Sequence, residues 1–499
     1  MMMASNTMLE DDKSINNNNN SSSVNEEELQ KIINNNNNTN SIHTNNGTSA
    51  CSSLVESNGD DRSSMVSSSD DDGSFEGRQD DIYHHPDFSH RGMIHKMKSN
   101  DSSSSSILWQ FIKQLQPQVD LLRMCSPIFI MRPISTLELY TYYTEPTLAL
   151  KVLREMDSEL DRMLCCLLFS LISCSNTFGD SFEGLKPYNP ILGEEFHAEW
   201  HSSVNEQQQE EKSGEKKTAM WLENWLSNQT SQDQERMQEM LKECKTKVTA
   251  EQVSHHPPIS AFLMENEKCG WSMKSTFQIL AKLKMNYVDL NIAGKHLLQV
   301  DLKNGETEEY DFTLPHVYAN GLFWGSSTIT NGEYLKVKCK KSGLTVKLNF
   351  GSGNDVSGSL TDRKGKTLLN LKGNICGKIN ITKGNSSDLY PSTLLPLIFK
   401  SDLPFFEAAF CKSLPFSNEL VVKPLHEQKE YESRRVWHEV TYNILHDNKD
   451  KAFDCKHEIE EIQRAKASKL KLEGKTHETK IFKPTGHFSK HQNIPLYEK

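Results

Sequence analysis

The chain lacks a long hydrophobic run. Its most apolar stretch, Met163 to Cys174, is 12 residues, well short of the roughly 20 that a membrane-crossing helix needs. A basic segment followed by an apolar one is missing at the start, so no secretory leader is expected. Eleven cysteines are present, an odd number without CxxC spacing. This argues against a disulfide framework and a cysteine zinc site, and for structural thiols in a reducing cytoplasm. A surplus of basic residues is missing as well, with 56 Lys and Arg against 67 Asp and Glu and a net charge of −11. Nucleic acid is therefore not expected as a partner. Large apolar side chains are scarce over residues 1–104, where Asn16–Asn20, Asn34–Asn38 and Asp70–Asp72 form runs. Such a segment cannot bury enough surface to offset chain entropy, and it is expected to be a disordered acidic tail. The first 100 residues carry −9 of the net charge, so the remainder is nearly neutral.

After a serine run comes Ile107–Leu115, with Leu108, Phe111, Ile112 and Leu115 at helical spacing and Ser106 as a candidate N-cap. This amphipathic helix is either a packed core element or a mobile cover that touches membrane. Residues 133–175 read as helical, first Leu137–Tyr142 and then a largely apolar helix within Thr147–Ser175. The stretch Gly184–Glu194, with two prolines and glycines, reads as a rigid irregular loop. Residues 204–247 are polar and charged and look like an inserted surface excursion with some helix. From Val248 to Thr382 short period-two runs recur, among them Ile259–Met264, Trp271–Phe277, Leu297–Leu302, Leu335–Cys339 and Leu344–Phe350, with turn residues between. That pattern predicts an antiparallel meander, curled or closed around a cavity. Charged helices follow at Glu432–Asn443 and Lys451–Lys471.

Within the meander stands EQVSHHPP, residues 251–258. Neighbouring strand residues point to opposite faces, so His255 and His256 cannot both be core fillers. The prolines end ladder pairing and place both rings at a strand end. A zinc site needs a third ligand, and no His or Cys lies nearby in sequence. A serine hydrolase needs a Gly-x-Ser-x-Gly elbow, which is missing. Anion binding fits better, because imidazole, ammonium and guanidinium groups all donate to phosphate oxygens. Lys456, Glu460 and Arg464 are spaced i, i+4, i+8 and share one helix stripe, which alone reads first as a solvated face with intrahelical ion pairs.

Together with LKPYNPILGEE at 185–195 and VKPLHEQKEYESRRVW at 422–437, the motif resembles the oxysterol-binding-protein-related family of lipid-transfer proteins. The resemblance runs over roughly residues 104–470, and it is to a short form, since no pleckstrin-homology segment precedes it. It implies a mainly β fold with flanking helices, a large incomplete antiparallel barrel around a lipid tunnel with an N-terminal helical lid. The implied division is a tail 1–104, a lid 105–132, a lipid-binding domain 133–475 with 204–247 as an insertion, and a C-terminal tail 476–499. It further implies that His255 and His256 grip the 4-phosphate of phosphatidylinositol 4-phosphate. Lys186 and Asn189 would contact its headgroup, Lys456, Glu460 and Arg464 would stand at the tunnel mouth, and the lid residues Leu108, Phe111, Ile112 and Leu115 would face the lipid. The implied protein is a monomeric, non-enzymatic carrier without cofactor or metal, cytoplasmic and transiently on membrane surfaces. It would exchange the phosphoinositide for a sterol or another membrane lipid; a lipid-dependent sensor that transfers little is the alternative. Members that take sterol can reach its hydroxyl with a glutamine on the helix before the loop. The corresponding position here is Ser173, and that helix contains no glutamine, so phosphatidylserine is also open as the second lipid.

Overall fold

A computed structural model describes residue 128 and residues 131–176, 186–204, 221–284, 286–320, 328–385, 390–400, 404–408, 416–488 and 495–499. The tail 1–104 and the lid positions Leu108, Phe111, Ile112 and Leu115 lie outside the described residues.

One sheet of fifteen strands dominates. Its strands form because apolar residues alternate with polar ones, which buries one face of each. In Glu195–Val204, Phe196, Ala198 and Trp200 are buried; in Tyr334–Cys339, Leu335, Val337 and Cys339 are. Neighbours pair antiparallel from Glu195–Val204 through Lys245–His255, Pro258–Asn266, Trp271–Leu283, Tyr287–Asp301 and Thr307–Thr313. Tyr334–Cys339 continues from Thr307–Thr313, and the meander runs on through Thr345–Phe350, Asp355–Thr361, Thr367–Asn374 and Lys378–Lys383 to a short edge at Phe406–Glu407. Phe416–Val421 returns to pair with Glu195–Val204 at the other edge. Among the described residues these two edges do not pair with each other, so the barrel is incomplete. A hairpin, His316–Asn320 with Thr328–Gly332, pairs with the first part of Tyr287–Asp301.

The helix Glu159–Asn176 is apolar on nearly all sides because nearly all sides are covered. Leu164, Cys165, Cys166, Leu167 and Leu171 belong to the same core cluster as Leu298, Val300, Tyr310 and Leu335 of the sheet. Arg162 pins it there, donating to both carboxylate oxygens of the buried Glu308 at 2.8 and 2.7 Å. No helix among the described residues is long and apolar enough to cross a membrane.

Two segments differ from their sequence reading. Within 204–247 the structure has helices Trp221–Ser227 and Ser231–Lys242, and they are not merely superficial. Trp221 is fully buried, stacks on Phe405 at 5.3 Å and donates its indole N–H to the Phe405 carbonyl at 2.7 Å. Met237 and Leu241 are buried beside it in the core cluster, so a sequence that is polar on average still supplies an apolar face. Beyond residue 476 the chain is packed too: Phe482 is buried, and Lys483–Phe488 pairs with Pro495–Glu498.

Candidate functional site

The strands Lys245–His255 and Pro258–Asn266 form a tight hairpin, and EQVSHHPP is its tip. His255 pairs with Pro258, the register shifts between Gln252 and Ser254, and the His256–Pro257 peptide is cis. The irregular tip, not strand alternation, decides where the rings go. Their centroids lie 4.5 Å apart at 65°, with His255 half-buried and His256 exposed. Burial, then the neighbouring His256, hold the His255 imidazole below its ordinary pKa. The Pro190 carbonyl and the Glu460 carboxylate pull the other way without winning. At neutral pH His255 is therefore predominantly uncharged.

Those two opposing neighbours locate the site. Pro190 belongs to the KPYNP loop and Glu460 to the helix Lys449–Leu472, so His255 stands where three separate chain segments meet. In the helix, Lys456 is almost fully buried and donates to Glu460 at 2.5 Å. Arg464, largely exposed, approaches Glu460 at 3.5 Å and also bonds Glu461. A lysine so desolvated needs its counter-charge, which makes this pair more than a solvated face. Lys186 and Asn189 are half-buried on the loop beside Pro190. Lys186–Tyr188 runs parallel to Met131–Ser135, and the buried Tyr188 stacks on Trp437 at 4.7 Å and bonds Thr441 at 3.1 Å. The loop's far end is tied by Gly193 N–H to the Gln252 carbonyl and by Gln252 N–H to the Glu194 carbonyl, each at 2.9 Å.

The sequence reading missed the carboxylates that hold these segments. Glu194 is fully buried and accepts from the Ser135 hydroxyl, the Ile191 N–H at 3.0 Å, the Ser433 hydroxyl at 2.8 Å and the Trp437 indole at 2.9 Å. Burial raises its pKa, and the four donors only partly counter this. Glu251, also buried, accepts the backbone N–H groups of Lys480, Ile481 and Phe482 at 2.8–3.0 Å. Arg434 donates to the buried Glu138 at 2.7 Å. Every one of the three quoted motifs thus contains residues that join elements. Their acidic members, set in otherwise rigid or apolar surroundings, were the available signal.

Deeper in the barrel lies a mostly apolar cavity of about 70 Å³, lined by Phe169, Phe277 and Phe312 among others, and by Ser173, His296 and Asn331.

A family model described as oxysterol-binding protein matches residues 107–498. The chain belongs to the oxysterol-binding protein family. The match continues past residue 475, in keeping with the packed C-terminal hairpin. Among curated proteins, oxysterol-binding protein-related protein 5 of Mus musculus is 28% identical over 383 residues, 74% of this chain and 37% of that protein. Oxysterol-binding protein-related protein 8 of Homo sapiens is 26% identical, covering 80% and 39%. Oxysterol-binding protein 4 of Dictyostelium discoideum is 26% identical, covering 79% and 75%. The chain thus spans little more than a third of the length of the first two. The crystal structure of the Osh1 ORD domain in complex with cholesterol superposes with a TM-score of 0.56 at 20% identity, covering 80% of this chain and 87% of that one. At that identity the likeness is one of fold: a mainly antiparallel β architecture with a few helices and an open sheet.

Proposed function

We propose that this family member carries lipid between membranes, binding phosphatidylinositol 4-phosphate and exchanging it for a sterol or another lipid. The observation that carries the reading is the meeting of His255 with the Pro190 loop and with Glu460. It gathers imidazole, ammonium and guanidinium donors beside one carboxylate at the barrel rim.

In this reading the 4-phosphate is held by His255 and His256, with Lys186 and Asn189 closing on the headgroup from the loop. Lys456 and Arg464 supply fixed positive charge, and Glu460 holds them in place while accepting from inositol hydroxyls. A dianionic phosphate beside His255 favours its protonated form and so gains a charge-assisted bond on arrival. The lipid's chains would occupy the barrel interior beneath the lid segment of Leu108, Phe111, Ile112 and Leu115. Shielding matters because each exposed CH₂ costs about 0.8 kcal/mol in water. No step makes or breaks a covalent bond, so the site acts as a receptor. The match to an oxysterol-binding family and the likeness in fold to a cholesterol-bound domain support the lipid class.

The test is transfer of phosphatidylinositol 4-phosphate between two liposome populations, with wild type against a His255→Ala/His256→Ala double variant. Sterol and phosphatidylserine serve in turn as counter-lipid. Loss of two donors to phosphate should slow transfer by roughly ten- to a hundredfold, without lowering the melting temperature. Wild-type protein that extracts no phosphoinositide would sink the exchange reading.

A further inference from the structure

At the far end of the strand that carries His255, two cysteines face each other. Cys244 joins helix Ser231–Lys242 to strand Lys245–His255, and Cys269 lies in the turn between Pro258–Asn266 and Trp271–Leu283. Both are 1% exposed, and their sulfurs are 3.4 Å apart. The turn is tight: Gly270 N–H donates to the Glu267 carbonyl, and Gly270 takes a φ of +67°, which a side chain would strain. Asn266, fully buried, holds the pair together. Its side-chain oxygen accepts the Cys269 N–H at 2.8 Å, a role only the oxygen can fill. The amide nitrogen is thereby turned to the Cys244 sulfur at 2.9 Å and the Thr246 hydroxyl at 2.8 Å.

Other buried thiols differ from this pair. Cys165 and Cys166 sit on the apolar helix Glu159–Asn176, where burial pushes both thiols up. Cys244 is pulled below the ordinary thiol range, first by the Cys269 S–H that donates to it. The Asn266 amide, the Lys151 ammonium and the Ser202 hydroxyl add to this against burial. Because the Asn266 amide faces Cys244, that sulfur gives up its proton first and Cys269 keeps its own. Lys151 is 1% exposed, and it donates to two neutral acceptors, Ser202 Oγ and Asn418 Oδ1, each at 2.6 Å. An ammonium buried among neutral groups gains from a thiolate beside it. The pair is also one residue from solvent. Its sequence neighbours Glu243 and Lys268 are exposed and bonded to each other. Lys268 lines a surface cleft of about 550 Å³ with Arg154, Arg236 and Lys303.

We propose that Cys244 and Cys269 are a peroxide-reactive dithiol that closes to a reversible disulfide, a modification site apart from the lipid-binding rim. The Cys244 thiolate attacks hydrogen peroxide. An S–O bond forms and the O–O bond breaks, oxidising the sulfur to a sulfenic acid while the leaving hydroxide takes a proton and becomes water. The Cys269 sulfur then attacks that of Cys244. The S–S bond forms as the S–O bond breaks, and the departing hydroxide leaves as water with the Cys269 proton. Two thiols and one peroxide thus give one disulfide and two waters. An S–S bond is about 2.05 Å long, so the sulfurs have about 1.4 Å to close. Closure ties the foot of the His255 strand to the turn before Trp271–Leu283.

The experiment treats the purified full chain, reduced and then freed of reductant, with hydrogen peroxide near neutral pH. Remaining thiols are blocked with N-ethylmaleimide, and the chain is digested with trypsin without reduction. Mass spectrometry should find Glu243–Lys245 joined to Cys269–Lys274, and dithiothreitol should part them. The link should form about tenfold faster than the exposed Cys376 is oxidised, the margin of a thiolate over an ordinary thiol. In Cys269→Ser the sulfenic acid on Cys244 has no resolving thiol and should be captured by dimedone. In Cys244→Ser dimedone should find nothing on Cys269. Should a serine variant fail to fold, the wild-type rates still decide. Cys376 oxidised while Cys244 and Cys269 both remain thiols overturns the dithiol. Sulfinic acid on Cys244 without the link overturns the disulfide. Dimedone captured on Cys269 in Cys244→Ser as readily as on Cys244 in Cys269→Ser overturns the division of roles.

Discussion

The rim and the interior of this barrel treat polar groups in opposite ways. At the rim, charged side chains come with built-in partners: Lys456 with Glu460, Glu194 with four donors, Glu251 with three backbone N–H groups. Inside, His296 and Asn331 carry atoms with no described partner. The difference follows from dielectric. At the rim Glu194, Glu251 and Lys456 are themselves buried, and each is kept because donors or a counter-charge compensate its desolvation. In the apolar interior an unpaired charge is prohibitive, so charge stands there as a pair, as in Arg162 with Glu308, and elsewhere only neutral donors and acceptors are tolerable. In the proposed carrier this contrast would sort two lipids by chemistry, with an anionic headgroup held at the rim and a neutral end in the interior.

The largest way to break the comparison is to remove the carboxylate on which the rim is assembled. Glu194→Ala takes the acceptor from the buried Ser135 and Trp437 donors, while Ser433 keeps the Glu195 carbonyl at 3.1 Å. The expected cost is about 3 kcal/mol or more, since each stranded buried donor costs roughly 1–3 kcal/mol less whatever relaxation recovers. Thermal melting should fall by several degrees, and lipid extraction of every kind should fall with it. Glu194→Gln keeps an acceptor oxygen and should lie between. Melting unchanged in Glu194→Ala would mean that the rim is held by backbone pairing alone.

This network was poorly legible in the sequence, and the reason is distance. Glu251 accepts from residues 229 to 231 positions away, and no local pattern announces such a partner. The meander was legible because alternation is local: Leu335, Val337 and Cys339 point inward whatever lies around them. Glu195–Val204 escaped because His197, Glu199 and His201 fill its outer face, so it reads as the start of the charged stretch that follows. The stripe of Lys456, Glu460 and Arg464 was visible from spacing, yet its role came from resemblance, since spacing cannot say that Lys456 is buried. Nothing local in the sequence marks His296 or Asn331, and only the register shows that both are buried.

A sharper probe separates the partners of the rim ion pair. Glu460→Ala removes the ion-pair partner of Lys456, whose side chain is 4% exposed, and breaking a buried pair costs about 3–5 kcal/mol at worst. Lys456→Met removes the desolvated charge and leaves Glu460 near Arg464 with access to water, so stability should hold or rise slightly. Both should weaken phosphoinositide extraction, by about tenfold for a lost charge-assisted contact. Chemical denaturation of the two variants side by side reads the asymmetry; equal destabilisation would place the pair among ordinary surface bridges.

The smallest effect is a pH dependence, and its sign is fixed by the rim. His255 is held below its ordinary pKa in the free protein, first by burial and then by His256. A bound phosphate raises it. A group whose pKa is higher in the complex contributes affinity that is fully present below the free-state pKa and is lost as pH climbs through the bound-state value. Headgroup affinity should therefore weaken as pH rises from about 6.5 to 8, by at most tenfold per pH unit for one proton. The window stops near 6.5 because the phosphate itself takes up a proton around pH 6. Calorimetric titration with water-soluble glycerophosphoinositol 4-phosphate, in buffers of differing ionisation heat, counts the protons directly. Wild type should take up a measurable fraction of a proton, and His255→Asn, a neutral donor at every pH, distinctly less. Equal uptake in both would move the protonated group to His256 and leave His255 as a neutral donor.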